Sequence, residues 1–290
     1  MNDLLGKTHR LLRESKNIAV KEMAGEKISF SQLHKFENGT SSIIVEKLAY
    51  LLDYLNISAE EFESTFIYLN KDAVTMREIA EAFWAKNTAK LRYYMEKENS
   101  LLVKNPENLN HFLNVMQVKS ALRFLDKRYT ISEKEIRRLE RYLFSLKEWS
   151  GYDIWLFGNC VDFFTDSDLR KLTYKMLHPE VQNIKTSLIQ SRLNQVVINL
   201  ISVHIENKHF TPVDELFSYL EHHFRPGLDM TDRAMLSFYK KLVEFRKDPL
   251  SQEKLINVEK CIAAFDTLGC FDLVNLLTEE LERYKIRTHI

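Results

Sequence analysis

The sequence predicts an all-α protein with two helical domains, and three observations lead to this fold class. Glycine is scarce, with seven residues among 290 and none between Gly39 and Gly151. Few positions can therefore adopt the positive φ angles that hairpins and phosphate-binding loops need. The helix-favouring residues Leu, Glu, Lys and Arg are abundant, and apolar residues recur at helical spacing between capping residues. These patterns count against a nucleotide-binding α/β enzyme and against a β-sandwich.

The N-terminal part of the chain has the pattern of five short helices. Ser29 and Ser31 are both candidate N-caps for the third of them, and Asn38-Gly39 is a typical C-terminal stop. The second helix lacks its usual N-cap residue, and Asn17 is the candidate substitute. The predicted segments are 4–13, 20–24, 30–37, 48–56 and one that opens with the capping box Ser58–Glu61. Five short helices in so few residues indicate a compact domain, which we place at residues 1–66.

Residues 67–290 are predicted to form a second, larger domain of roughly eleven helices. Helix pairs start roughly 35 to 45 residues apart, which is typical of helical-repeat arrays. No consensus repeat signature is visible, so the expected repeats are degenerate and an irregular bundle is the alternative. The predicted helix starts are Asn105-Pro106, Ser132–Glu135, Thr165–Asp168 and Thr211–Asp214.

The cysteine content and the lack of a signal-peptide or membrane-spanning pattern indicate a protein of the cytoplasm. The formal net charge is zero, and the three cysteines form no Cys-x-x-Cys pair, which fits a reducing compartment. The N-terminus lacks the apolar core of a signal peptide, and the longest apolar run, residues 196–203, is too short for a bilayer. We therefore expect a cytoplasmic protein without a membrane partner.

The first 65 residues resemble the phage-repressor-type (XRE) helix-turn-helix domain. The most specific segment is Phe36-Glu37-Asn38-Gly39, where that family has Phe/Ile-Glu-x-Gly at the end of its recognition helix. The resemblance also runs through residues 5–13, 22–24, 31–39, 48–56 and 58–62. Together with the long helical domain, the chain resembles the Rgg/GadR/MutR family of regulators.

This resemblance implies both a fold and a function. The implied fold is a five-helix helix-turn-helix domain followed by a right-handed α-solenoid of degenerate tetratricopeptide-like helix pairs. The implied function is sequence-specific transcription regulation by a homodimer on double-stranded promoter DNA. A short hydrophobic signalling peptide, bound by the helical-repeat domain, would control it in quorum sensing.

The predicted DNA-contacting residues surround the third helix. Leu33 and Phe36 supply apolar anchors, which leaves the polar side chains to face a major groove. Gln32 is the best candidate for a base edge, since its amide can pair bidentately with adenine. The full predicted set is Arg10, Arg13, Ser29, Ser31, Gln32, His34 and Lys35. Ser31 and Lys35 would reach phosphates, while Arg13 with Arg10 would clamp the DNA backbone.

Two features of this domain bear on the operator and its affinity. Ala19-Val20 stands where family members usually open the second helix with Ser-Gln, and His34 and Asn38 also depart from the common pattern. Residues 1–50 carry eight Lys/Arg against six Asp/Glu, a net charge of only +2. Since phosphate neutralisation supplies much of the affinity for DNA, this favours a dimer on a two-part site.

The resemblance implies a peptide site on the concave face of the helical array. Side-chain amides there would read the peptide backbone and aromatic residues would wall a pocket. The candidate residues are Trp149, Tyr152, Trp155, Asn159, Arg192 and Asn194. The alternative for each of them is an ordinary place in the core.

No residue pattern indicates catalysis, a cofactor or a metal. The sequence has no Gly-x-Ser-x-Gly, His-Glu-x-x-His, Walker or dinucleotide motif, so we expect no enzyme activity and no cofactor. His204 and His209 are five residues apart, and His222 and His223 are adjacent. Neither pair would share a helix face as a zinc pair at i, i+4 does, so no metal site is predicted.

Two alternative functions are open at this point. In the first, the chain binds DNA, but the helical domain only dimerises or senses pH or a metabolite, without a peptide. In the second, the chain is a helical-repeat adaptor whose helix-turn-helix serves as a protein-binding module.

Overall fold

The computed structural model describes residues 2–70, 76–178, 187–225 and 227–286, and every regular element among them is helical. The predicted all-α fold class is confirmed. The chain divides into two compact units, residues 1–78 and 79–290. The division falls beyond the fifth helix, whereas the predicted boundary at residue 66 lies inside that helix.

The first unit consists of five helices around one apolar core. They are α1 (Asn2–Ser15), α2 (Val20–Met23), α3 (Phe30–Glu37), α4 (Val45–Tyr54) and α5 (Ala59–Leu69). Met23, Leu33, Phe36, Leu51 and Leu55 are almost fully buried in this core. The helical spacing of the apolar residues thus places one face of each helix inside and leaves the polar face to solvent.

A close approach of α1 to the end of α3 fixes the third helix against the first. A Cβ atom on Gly6 of α1 would lie 1.9 Å from the backbone oxygen of Phe36. Gly39 has a φ of 73° and ends the turn that follows α3. Glycine is therefore required at both positions, for space at Gly6 and for conformation at Gly39.

Three capping predictions in the first unit can be compared with the structure. The Ser29 hydroxyl accepts a hydrogen bond from the Gln32 amide, so Ser29 rather than Ser31 caps α3. Ser58 and Glu61 form the predicted capping box of α5. The prediction that Asn17 caps α2 is wrong, because Asn17 has a φ of 55° in the turn after α1. The Glu22 carboxylate instead accepts the backbone N–H of Ala19.

The described residues beyond Asn70 form eleven α-helices and one short 3-10 helix. The α-helices are α6 (Met76–Trp84), α7 (Thr88–Lys104), α8 (Leu109–Leu125), α9 (Glu133–Ser145), α10 (Gly151–Asn159), α11 (Asp166–Leu177), α12 (Ser187–Glu206), α13 (Thr211–His223), α14 (Met230–Lys247), α15 (Gln252–Thr267) and α16 (Phe271–Ile286), and the 3-10 helix is Val161–Phe163. The division between the two units falls within α6.

Neighbouring helices of the second unit pack in pairs around a single large core. The pairs α7 with α8, α14 with α15 and α15 with α16 are adjacent in sequence, as expected for helical repeats. The helix α10 instead packs on α12, and a Cβ on Gly158 would lie 2.3 Å from the Val196 side chain. Since α12 also contacts α13 and α14, it is the central helix of this core.

The predicted helix starts in the second unit are partly right. Ser132 and Thr165 cap α9 and α11 as expected. The start predicted at Asn105-Pro106 is wrong, because Asn105 ends α7 and the side chain of Asn108 caps α8. The helix α13 begins at Thr211 itself, so Thr211 is not its N-cap, and no side chain caps this helix.

Candidate functional site

The helix α3 presents a polar face on a firmly held base. Leu33 is fully buried and Phe36 is 2% exposed, so this side of the helix is anchored in the core. On the opposite side Ser31, His34 and Lys35 are exposed, as is the capping residue Ser29. The structure therefore brings five of the seven predicted DNA-contacting residues, Ser29, Ser31, Gln32, His34 and Lys35, onto α3 and its cap.

The side chain of Gln32 is held by a residue that the sequence did not single out. The Lys47 ammonium on α4 donates a hydrogen bond of 2.6 Å to the Gln32 carboxamide oxygen. The Gln32 side chain is half-buried, and the hydrogen bond from Lys47 restricts the orientation of its carboxamide. The two N–H donors of the carboxamide are left for other partners. No spacing rule links positions 32 and 47, because the two residues lie on different helices and meet only in the folded domain.

Among the exposed residues of α3, His34 has the side chain that its neighbours restrict most. Its ring stacks on Phe30 with the centroids 5.8 Å apart, and the Asn38 amide lies 3.2 Å from its Nδ1 atom. Lys35 makes no such side-chain contact among the described residues. The charge of Lys35 is therefore the one that α3 presents most freely to solvent.

Arg13 lies in the interior of the first unit, which revises the prediction that it clamps DNA. Its side chain is 7% exposed and forms two parallel hydrogen bonds of 2.8 Å with the carboxylate of Glu37. A third guanidinium nitrogen donates to the backbone oxygen of Ile18. Because its donors are engaged inside the fold, Arg13 joins α1 to the end of α3. Arg10 is exposed and pairs with Glu14 at 2.8 Å.

Glu37 is the centre of this buried network. Its carboxylate contacts Arg13 and the Nδ1 atom of His9, which is fully buried and lies 2.8 Å away. Burial by itself would raise the pKa of Glu37, but the hydrogen bonds from His9 and Arg13 outweigh it and lower the pKa. The hydrogen bond between Arg13 and Glu37 also raises the pKa of Arg13. The motif residue Glu37 thus has a structural role beneath the polar face of α3.

The predicted peptide-contacting residues are divided between core and surface. Trp149 is 5% exposed and belongs to the core of the second unit. Asn194 is fully buried, where its carboxamide contacts Gln190 and Asp232. Both are therefore placed to support the fold rather than to meet a ligand at the surface.

The other four predicted residues are partly exposed around the contact of α10 with α12. Tyr152, Trp155 and Asn159 lie at i, i+3 and i+7 on one face of α10. The Arg192 guanidinium of α12 packs against Gly151, and a Cβ atom there would lie 2.6 Å from it. At the other end Asn199 donates to the backbone oxygen of Gly158. We call Tyr152, Trp155, Asn159, Arg192 and Asn199 the α10–α12 face.

No helix among the described residues is long and apolar enough to cross a membrane.

Comparisons with known proteins agree with the resemblance seen in the sequence. The family of the HTH-type transcriptional regulator Rgg, C-terminal domain, matches residues 95–279. The fold is similar to that of the SHP pheromone receptor Rgg2 of Streptococcus dysgalactiae, with 26% sequence identity, a TM-score of 0.71 and coverage of 99% of this chain and 100% of that chain.

Two further solved structures share the fold at lower identity. A protein of Listeria monocytogenes EGD-e has 14% identity and a TM-score of 0.76 over 100% of both chains. PrgX in its complex with cCF10 has 15% identity and a TM-score of 0.70, covering 98% of this chain and 92% of that chain. These two likenesses concern the fold alone, whereas the family match spans more than half of the sequence. The chain belongs to the Rgg family of helix-turn-helix transcriptional regulators.

Proposed function

We propose that this chain is a cytoplasmic transcription regulator that binds promoter DNA through α3 and is controlled by a short hydrophobic peptide bound in its second unit. The observation that carries the proposal is α3 itself, a short helix with a buried apolar base and an exposed polar face. In this proposal the first unit reads DNA, the second senses the peptide and forms the homodimer, and neither catalyses a reaction.

Gln32 is the residue that we propose reads a base. The carboxamide oxygen already accepts from Lys47, but its second lone pair and the two nitrogen donors are available. This arrangement still allows the bidentate pairing with adenine, and it fixes the carboxamide before DNA arrives. Pre-orientation favours binding because less side-chain freedom is lost in the complex.

Ser31, Lys35 and Arg10 are proposed to contact the DNA backbone. Lys35 and Arg10 supply positive charge, and the Ser31 hydroxyl donates a hydrogen bond. The small net charge of the first 50 residues limits what one copy contributes, which supports binding as a homodimer to two half-sites.

Variants of α3 test this proposal on the DNA upstream of the protein's own gene, with fluorescence anisotropy at several salt concentrations. Gln32→Ala is expected to weaken specific binding by about 1–3 kcal/mol and to leave binding to unrelated DNA unchanged. Lys35→Ala is expected to weaken both kinds of binding and to make the salt dependence shallower.

Lys147→Ala is the matched control, because it removes the same charge from an exposed loop of the second unit. If Gln32→Ala and Lys147→Ala bind the specific DNA equally well, α3 does not read the sequence and the DNA-binding part of the proposal fails.

The α10–α12 face is our proposal for the peptide site. Rgg2 is described as a pheromone receptor and another solved structure of this fold as a bacterial peptide pheromone/receptor complex, and this chain shares their fold. Asn159 and Arg192 are partly exposed, so their side chains can bind backbone groups of an extended peptide. Trp155 and Tyr152 offer the aromatic surface that an apolar peptide side chain needs.

Titration with the short hydrophobic peptides encoded beside the gene tests this site, with binding followed by calorimetry. We expect saturable binding that Asn159→Ala and Arg192→Ala each weaken at least about tenfold, since each loses a hydrogen bond made in a partly desolvated groove. Tyr174→Ala, which alters an exposed aromatic residue of α11, is the control. No binding of any such peptide would favour the alternative in which the second unit only dimerises or senses another cue.

A further inference from the structure

Three side chains of the second unit converge where the start of α11 lies beside the end of α12. They are Asp166, the first residue of α11, His204 in the last turn of α12, and His209 just beyond that helix. One ligand atom from each of the three lies within 4.8 Å of the others. Two imidazoles and one carboxylate are a ligand set that first-row divalent metals accept.

The end of α12 explains how two histidines five residues apart come together. Lys208 has a φ of 60°, and the backbone N–H of His209 donates to the His204 oxygen at 2.8 Å. The chain therefore turns back on itself and places His209 beside His204. The i, i+4 spacing rule applies to a continuous helix, and the chain leaves the helix after Glu206.

Two of the three separations between ligand atoms are close to those of a zinc site. The Asp166 Oδ1 atom lies 2.8 Å from His209 Nδ1 and 3.9 Å from His204 Nδ1. Ligand bonds of about 2.0–2.1 Å in a tetrahedral site place ligand atoms about 3.3 Å apart. Shifts of roughly half an ångström in each separation would bring both pairs to that value.

The imidazole of His204 is available to a ligand. The side chain is 1% exposed, and its Nδ1 atom has no hydrogen-bond partner among the described residues. A buried ring nitrogen 3.9 Å from a carboxylate oxygen is too far from it for a hydrogen bond, so this polar atom lacks a partner.

We propose that Asp166, His204 and His209 bind one divalent transition-metal ion of the zinc class, with water in the fourth position. The Arg170 guanidinium pairs with the other carboxylate oxygen of Asp166 at 2.8 Å and orients the carboxylate, and the metal would replace the hydrogen bond that joins Oδ1 to His209 Nδ1. The charge of Arg170 opposes the cation, whereas the C-terminal end of α12 favours it. The bound metal would join the start of α11 to the end of α12, independently of DNA or peptide binding.

Cobalt titration of the full-length, chelator-treated protein tests this site, because tetrahedral Co²⁺ absorbs visible light. We expect one equivalent to bind, to be displaced by Zn²⁺ and to give no thiolate band in the near ultraviolet. His209→Ala and Asp166→Asn are each expected to weaken binding at least about tenfold. Zn²⁺ should also raise the midpoint of thermal unfolding in the natural protein but not in these variants.

His222→Ala is the matched control, because His222 is an exposed histidine whose Nδ1 atom contacts the Ser218 oxygen within its own helix. His209 is 47% exposed, so its replacement leaves the core intact, and circular dichroism verifies the fold. The proposal is overturned if no saturable binding occurs at submillimolar metal, if His209→Ala binds as tightly as His222→Ala, or if a thiolate band shows that the cysteines hold the ion.

Discussion

Glu37→Gln is expected to destabilise the first unit by about 3–5 kcal/mol, the largest effect that we predict for a single substitution. The change leaves the buried guanidinium of Arg13 without its counter-charge, although the shape of the side chain is kept. All three tryptophans, Trp84, Trp149 and Trp155, lie in the second unit. In urea unfolding followed by circular dichroism, the midpoint of the first-unit transition should therefore move to a lower urea concentration. The midpoint measured by tryptophan fluorescence should be unchanged.

Two variants separate this explanation from others. Glu14→Gln is the matched control, since Glu14 is 51% exposed and its removal should cost about 1 kcal/mol or less. Arg13→Met together with Glu37→Leu removes both charges and should recover most of the lost stability. If that double variant folds but no longer binds DNA, Arg13 contributes to DNA binding and a purely structural role for it is wrong.

The same network gives the first unit a defined response to acid. The folded-state pKa of Glu37 lies below its ordinary value, so the carboxylate contributes stability above the unfolded pKa. That contribution is lost as the pH falls through the lowered folded pKa. The stability difference between the natural protein and Glu37→Gln should therefore shrink on acidification, and urea titrations at a series of pH values would measure it.

Gly6→Ala is expected to destabilise the first unit by about 3 kcal/mol or more, even though alanine favours helix over glycine by about 1 kcal/mol. The new Cβ would meet the Phe36 backbone oxygen at 1.9 Å and its carbonyl carbon at 2.8 Å. A backbone carbonyl cannot rotate away as a flexible side chain can, so α1 and the end of α3 must separate. Circular dichroism would show an earlier unfolding transition, and DNA affinity should fall because α3 loses its position.

Gly25→Ala is the control for that prediction, because a Cβ there has open space within 4 Å. We expect its stability to lie within about 0.5 kcal/mol of the natural protein. An equally small effect of Gly6→Ala would show that α1 and α3 do not approach as closely as described.

Local rules predicted the parts of this fold that depend on neighbouring residues. The capping boxes at Ser58 and Ser132 follow from a serine and a glutamate three residues apart, so the sequence contains all that is needed. The helix start predicted at Asn105-Pro106 was wrong because the segment contains a second capping residue, Asn108, which is the true cap of α8. The anchors Leu33 and Phe36 were predictable from the amphipathic pattern of α3.

The features that the sequence did not reveal depend on contacts between distant segments. Arg13 is a basic residue of the type that contacts DNA, and only the packing of α1 on α3 shows that it pairs with Glu37. The position of Lys47 next to Gln32 depends on the packing of the folded first unit, since the two residues lie on different helices. Likewise, the backbone turn at Lys208 decides whether His209 reaches His204.

Sequence reading by α3 is tested by the ratio of two dissociation constants for the natural protein. One is for duplex DNA from its own upstream region, and the other is for a scrambled duplex of the same length and composition at the same salt concentration, each with and without the neighbouring peptides. We predict a preference of about 10³ or more for the upstream DNA in at least one of these conditions. Equal, salt-sensitive binding to both duplexes in every condition would contradict the account of α3 as a sequence-reading helix.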